Sequence, residues 1–111
     1  MNDDLIAEIK AAYHTHKLVP VRGYFYLPDD LACPLMALAL SYGIVNRNDP
    51  DICGADACAV VEWSAQHFGE QETRGFLDGF DRLPERTSDE AYLTAYTFGQ
   101  RVAQEIVPVD A

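Results

Sequence analysis

The chain has 111 residues, 49% of them apolar, with 18 acidic residues against 8 basic ones and a net charge of −10. That length suits one domain over residues 1–111, and that apolar share excludes a disordered chain. Direct nucleic-acid binding needs clustered Lys and Arg, and none cluster here; anionic membrane surfaces are disfavoured for the same reason.

The first helix is expected to open at Asn2 or Asp3 and fade near His16. Asp3, Asp4 and Glu8 suit the positive end of the helix dipole. Leu5, Ile6, Ile9, Ala12 and Tyr13 form its apolar stripe. The opening stretch MNDDLIAEIK carries neither the basic nor the apolar segment of an export signal. The longest apolar run, Leu35 to Leu40, falls far below the ~20 residues that span a bilayer. Three cysteines, an odd number, fit reduced thiols in a cytoplasm.

Residues 18–27 change character. Val19, Val21, Tyr24, Phe25 and Tyr26 favour extended backbone. Two outcomes stand side by side: a short hairpin turned at Arg22-Gly23, or an irregular extended segment lying on the helices. Pro20 confines any strand here to a sheet edge.

The second helix opens at Pro34, where a missing N–H does no harm. Leu35-Met36-Ala37-Leu38-Ala39-Leu40 is apolar on every face, the mark of a buried central helix. Gly43 stops it. Residues 44–54 form a polar loop. The third helix spans Ala55 to Phe68, with Ala57, Val60, Val61, Ser64 and Phe68 on one face. The fourth runs from Glu70 to about Arg82, with Phe76, Leu77 and Phe80 inward and Glu70–Arg74 and Asp78–Arg82 pairs outward. In the fifth, Thr87 caps and Glu90 closes a capping box. Tyr92, Ala95, Tyr96, Gly99, Val102, Ala103 and Ile106 then make one stripe, and Pro108 ends the helix. The tail beyond is expected to be loose.

Gly75 and Gly79 stand one turn apart on the fourth helix, and Gly99 lies on the fifth. Each glycine costs about 1 kcal/mol of helix propensity. Close packing of these two helices is the economical explanation. The expected fold is therefore mainly α: a compact bundle of about five short helices with a small hairpin or extended segment near residues 18–27.

Candidate chemistry is sparse. Cys33 precedes the helix at Pro34, so the helix dipole would favour its thiolate, with His14 or His16 as base. The plain alternative is a small buried residue before a core helix. Cys53 and Cys58 have a C-x4-C spacing, looser than common zinc pairs. The loop from Asp49 matches a calcium loop at Asp51 and Gly54, but Cys53 and Val60 stand where ligands belong. Asp51 or Asp56 could instead cap the third helix. No phosphate loop, nucleophile elbow or dinucleotide fingerprint occurs.

The function expected from these residues is a protein–protein interaction module, most simply one for a basic partner. A nucleic-acid mimic is the sharper variant, because Asp49, Asp51, Asp56, Glu62, Glu70, Glu72, Asp78 and Asp81 concentrate acid in mid-chain. A thiol enzyme or redox protein using Cys33 and a metal domain using Cys53 and Cys58 are the alternatives. No cofactor is called for.

Overall fold

A computed structural model describes residues 1–49, 52 and 54–107. Among them are five helices and three two-residue strands: α1 Asp3–His16, β1 Val19–Pro20, β2 Tyr26–Leu27, β3 Leu31–Ala32, α2 Pro34–Ser41, α3 Ala55–Phe68, α4 Glu70–Phe80 and α5 Glu90–Ile106. The fold is mainly α with a small mixed sheet. The chain divides into two units. One holds Asp3–Trp63; the other holds Met1–Asn2 with the chain from Ser64 onward.

In the first unit the core forms as hydrophobic periodicity dictates. Leu5, Ile6, Ile9, Ala12 and Tyr13 are the buried stripe of α1, and α1 packs on α2. Every residue of α2 from Pro34 to Leu40 is buried. A helix with no polar face has nothing to show to water, so it is surrounded.

The sheet order is β1-β3-β2. β1 runs parallel to β3, and β2 antiparallel to it. Segment 18–27 thus carries a short strand near each end with bends at Arg22, Gly23 and Phe25 between them, but Arg22-Gly23 does not join β1 to β2 as a hairpin. The hairpin is β2–β3, turned through Pro28-Asp29-Asp30, and β3 fills the space between the other two strands. Asp29 and Asp30 take positive φ, 68° and 64°. Aspartate tolerates that conformation better than most side chains. Pro20 lies on an edge strand, where its missing N–H costs no ladder bond.

Three helices end alike. α2 stops with Gly43 at φ 72°, and Ile44 N–H reaches back to the Ala39 carbonyl at 2.9 Å. α1 ends the same way at Lys17 and α4 at Arg82, both with positive φ. Leu18 N–H bonds the Tyr13 carbonyl, and Leu83 N–H the Asp78 carbonyl, each at 2.9 Å. These six-to-one bonds satisfy carbonyls that the helix end would leave bare.

The second unit is built on α4 and α5. A Cβ added at Gly75 would overlap the Tyr92 carbonyl oxygen, and one at Gly79 the Tyr96 oxygen. At Gly99 it would sit 2.9 Å from the Phe80 nitrogen. The two helix backbones therefore touch directly, as the glycine spacing predicts. The order of contacts, 75 with 92 and 79 with 96, means that the helices run in the same sense. The chain must return from the end of α4 to the start of α5, and residues 83–89 make that return.

The return segment is pinned at three points. Tyr96 Oη donates to the Leu83 carbonyl, Arg86 N–H donates to Tyr92 Oη at 3.0 Å, and the Arg86 guanidinium meets Asp78 Oδ1 at 3.0 Å. The expected Asp78–Arg82 surface pair is corrected here. Asp78 is 3% exposed and also accepts from Tyr92 Oη at 2.7 Å, while Arg82 lies beyond the helix end. The cap of α5 moves as well. Asp89, not Thr87, accepts from Tyr92 N–H at 3.1 Å, and Thr87 Oγ1 accepts from Asp89 N–H instead. The chain is still returning along the helices at Thr87, so α5 starts later than a capping box would place it.

Candidate functional site

The surface feature with the most definite geometry lies in the first unit, where α1, α2 and α3 each contribute one side chain. Tyr42 is the C-terminal cap of α2, and the left-handed turn at Gly43 leaves it 43% exposed. Its ring meets that of Trp63 edge to face, with centroids 5.4 Å apart and planes at 82°. Its hydroxyl donates to Glu8 Oε1 at 2.7 Å. That hydrogen bond, with some burial and the carboxylate charge, holds the Tyr42 phenol above its ordinary pKa. Trp63 is half-buried and Glu8 exposed. Two perpendicular rings and one carboxylate thus form a fixed platform, with Ile44, 41% exposed, two residues beyond Tyr42.

The cysteines are dispersed. Cys33 is 3% exposed at the start of α2, and its side chain makes no capping hydrogen bond to the helix. Its backbone N–H bonds the Phe25 carbonyl at 3.0 Å, which ties β3's end to the segment before β2. Tyr13 donates to the neighbouring Ala32 carbonyl at 2.7 Å, and burial pushes its phenol pKa well up. This is the packed position before a core helix that the plain reading of Cys33 describes. Cys58 is exposed on α3 beside a shallow depression of about 330 Å³ formed with Phe25, Ala57, Val61 and Glu62. Cys53 and Asp51 lie outside the described residues. Among the described residues no three His, Cys, Asp or Glu side chains come together as a metal site would require. His14 and His16 both fall in the last turn of α1. Among the described residues no helix is long and apolar enough to cross a membrane.

A groove of about 480 Å³ in the second unit is lined by Met1, Glu72, Asp89, Glu90, Ala91, Thr94 and Ala95. Two of its three carboxylates are placed by the helix starts. Asp89 caps α5, and Glu72 lies over Gly69 at the start of α4.

No family model, curated protein or solved structure matches the chain.

The acidic mid-chain segment does not act as a single array. Asp78 is buried and paired, and Glu70 is paired with Arg74 at 3.5 Å. Asp49, Asp56, Glu72 and Asp81 are half-buried, while Glu62 is exposed. Tyr92 and Tyr96, expected on the apolar stripe of the fifth helix, are buried at 0% and 9% exposure, and Tyr24 in the extended segment is 59% exposed. Tyr42 drew no notice in the sequence, although its place immediately before the stop glycine of an all-apolar helix was a usable signal. Its partners Glu8 and Trp63 are non-local, and no local pattern reveals them.

Proposed function

We propose that this protein is a protein–protein interaction module whose partner is basic. The observation that carries the reading is the disposition of charge. Acidic residues outnumber basic ones by 18 to 8. Basic residues are also paired with acidic ones: Arg47 with Asp30 at 2.5 Å, Arg74 with Glu70, Arg86 with Asp78 and Arg101 with Glu105. The charge left to face a partner is therefore strongly one-sided. Such a surface speeds the encounter with a basic surface and repels acidic ones. Reduced conditions such as a cytoplasm suit an exposed thiol like Cys58.

A nucleic-acid mimic is a special case of the same reading. It loses support from Asp78, whose charge is buried and paired.

The test is titration with a labelled arginine-rich peptide, followed by anisotropy, at low salt and at about 0.15 M salt, where screening acts over about 8 Å. A saturable one-to-one complex that weakens with salt yet persists at the higher ionic strength is expected. Attraction that disappears there, or an equal response to an acidic peptide, would overturn the reading.

A further inference from the structure

We infer that the Tyr42–Trp63–Glu8 platform is the point at which an arginine side chain of that basic partner docks; the inference rests on the reading above. Three observations carry it. The rings are held before any partner arrives: Tyr42 by its contact with Trp63 at 5.4 Å and by its hydroxyl on Glu8 at 2.7 Å. A group fixed in advance loses little side-chain freedom on binding. The platform also combines the two features that recognise a guanidinium, an aromatic surface and a carboxylate. Lastly, further acidic side chains flank the platform. Asp4 is exposed one turn before Glu8 on α1, and Glu62 is exposed immediately before Trp63.

Arginine fits better than lysine. Its planar, weakly hydrated head stacks on a ring while its N–H groups reach a carboxylate oxygen, whereas an ammonium is a compact and strongly hydrated charge. Glu8 Oε1 accepts the tyrosine hydroxyl, and its second oxygen remains on the same carboxylate to take a guanidinium N–H.

Trp63 is the only tryptophan, so its emission reports on the platform directly. The experiment titrates a short arginine peptide, its lysine counterpart and its citrulline counterpart into the parent chain and into Glu8→Gln, Tyr42→Ala and Tyr42→Phe. Circular dichroism of each variant establishes that it is folded. The arginine peptide is expected to alter Trp63 emission as it saturates, the lysine peptide to bind more weakly and the citrulline peptide not to bind. Glu8→Gln and Tyr42→Ala should each weaken arginine-peptide binding by about five- to thirty-fold, and Tyr42→Phe, which keeps the ring, by much less. If the arginine peptide binds one-to-one while Glu8→Gln and Tyr42→Ala match the parent, the platform is not the docking point, although the module reading stands. If the parent binds no arginine peptide, the module reading fails and this inference with it.

Discussion

Replacing Gly79 with alanine sets two effects of known sign against each other. In a free helix the change gains about 1 kcal/mol, because alanine loses less backbone freedom. In α4 the added Cβ would stand 2.8 Å from the Tyr96 carbonyl carbon and nearer still to its oxygen. Ordinary contact begins near 3.5 Å, so α5 would have to retreat by about 1 Å. A gap of that size forfeits a quarter to a half of each dispersion contact across it. The contacts at risk include those of Phe76, Phe80 and Tyr92, all fully buried. Overpacking costs about 1–3 kcal/mol, and here no side-chain rotation relieves it, because both walls are backbone. The net expectation is a loss of about 2 kcal/mol, or a fall of about 8–12 °C in melting midpoint for a chain of this size. Thermal denaturation followed by helix ellipticity measures it, with Gln100→Ala on the exposed side of α5 as a control. A Gly79→Ala protein that melts at or above the parent temperature would refute the direct backbone contact.

Ser64 and Thr73 share a buried hydrogen bond, Oγ to Oγ1 at 2.7 Å. Ser64→Ala or Thr73→Val alone leaves the other hydroxyl buried and unpaired, at about 1–3 kcal/mol, whereas the double variant should recover much of that loss. Strictly additive losses in urea denaturation would exclude the pairing. The alkaline limb of stability should also carry a signature. Tyr13 is shifted upward by burial, Tyr42 chiefly by its bond to Glu8, and Tyr92 by burial and its bond to Asp78. Folding therefore favours the protonated phenols. Their contribution is whole below about pH 10 and is lost as pH rises through the raised folded-state values. Phenolate absorbance should lag behind that of free tyrosine and finish only as helix signal is lost. Ionisation of all six tyrosines near pH 10 with the helices intact would contradict it.

Hydrophobic periodicity reached most of this fold from the chain alone. The stripe of α1, the enclosed α2 and the face of α5 were legible because a buried surface must be apolar at helical spacing. The glycine contact was legible for a related reason: three glycines in helix interiors need a packing justification. What stayed hidden is stored in non-local geometry. Lys17 and Arg82 end helices in a conformation that glycine favours, held by the bonds of Leu18 and Leu83 rather than by their own preference. Asp29-Asp30 turns a hairpin without a glycine, and the two-residue β3 gives no periodic signal. Asp78 reads as one more surface acid until Tyr92 and Arg86, fourteen and eight residues away, are placed around it. Among the candidate site residues, Cys33 was placed correctly before a core helix, but the platform of Tyr42, Trp63 and Glu8 joins positions that no local spacing connects.

The segment between α4 and α5 also acts as a ruler. The 75–92 and 79–96 contacts set Glu90 level with Thr73, so the return from Phe80 climbs about seven residues, or roughly 11 Å at about 1.5 Å each. The seven residues 83–89, extended, reach about 23 Å, enough for that climb and for the step across to the neighbouring helix axis. A segment cut to two residues would reach only about 7 Å, too short to return along α4, and only a helix of opposite sense could follow it. Loop length, as much as glycine placement, thus selects which way the second helix points, and an insertion there is far cheaper to accommodate than a deletion.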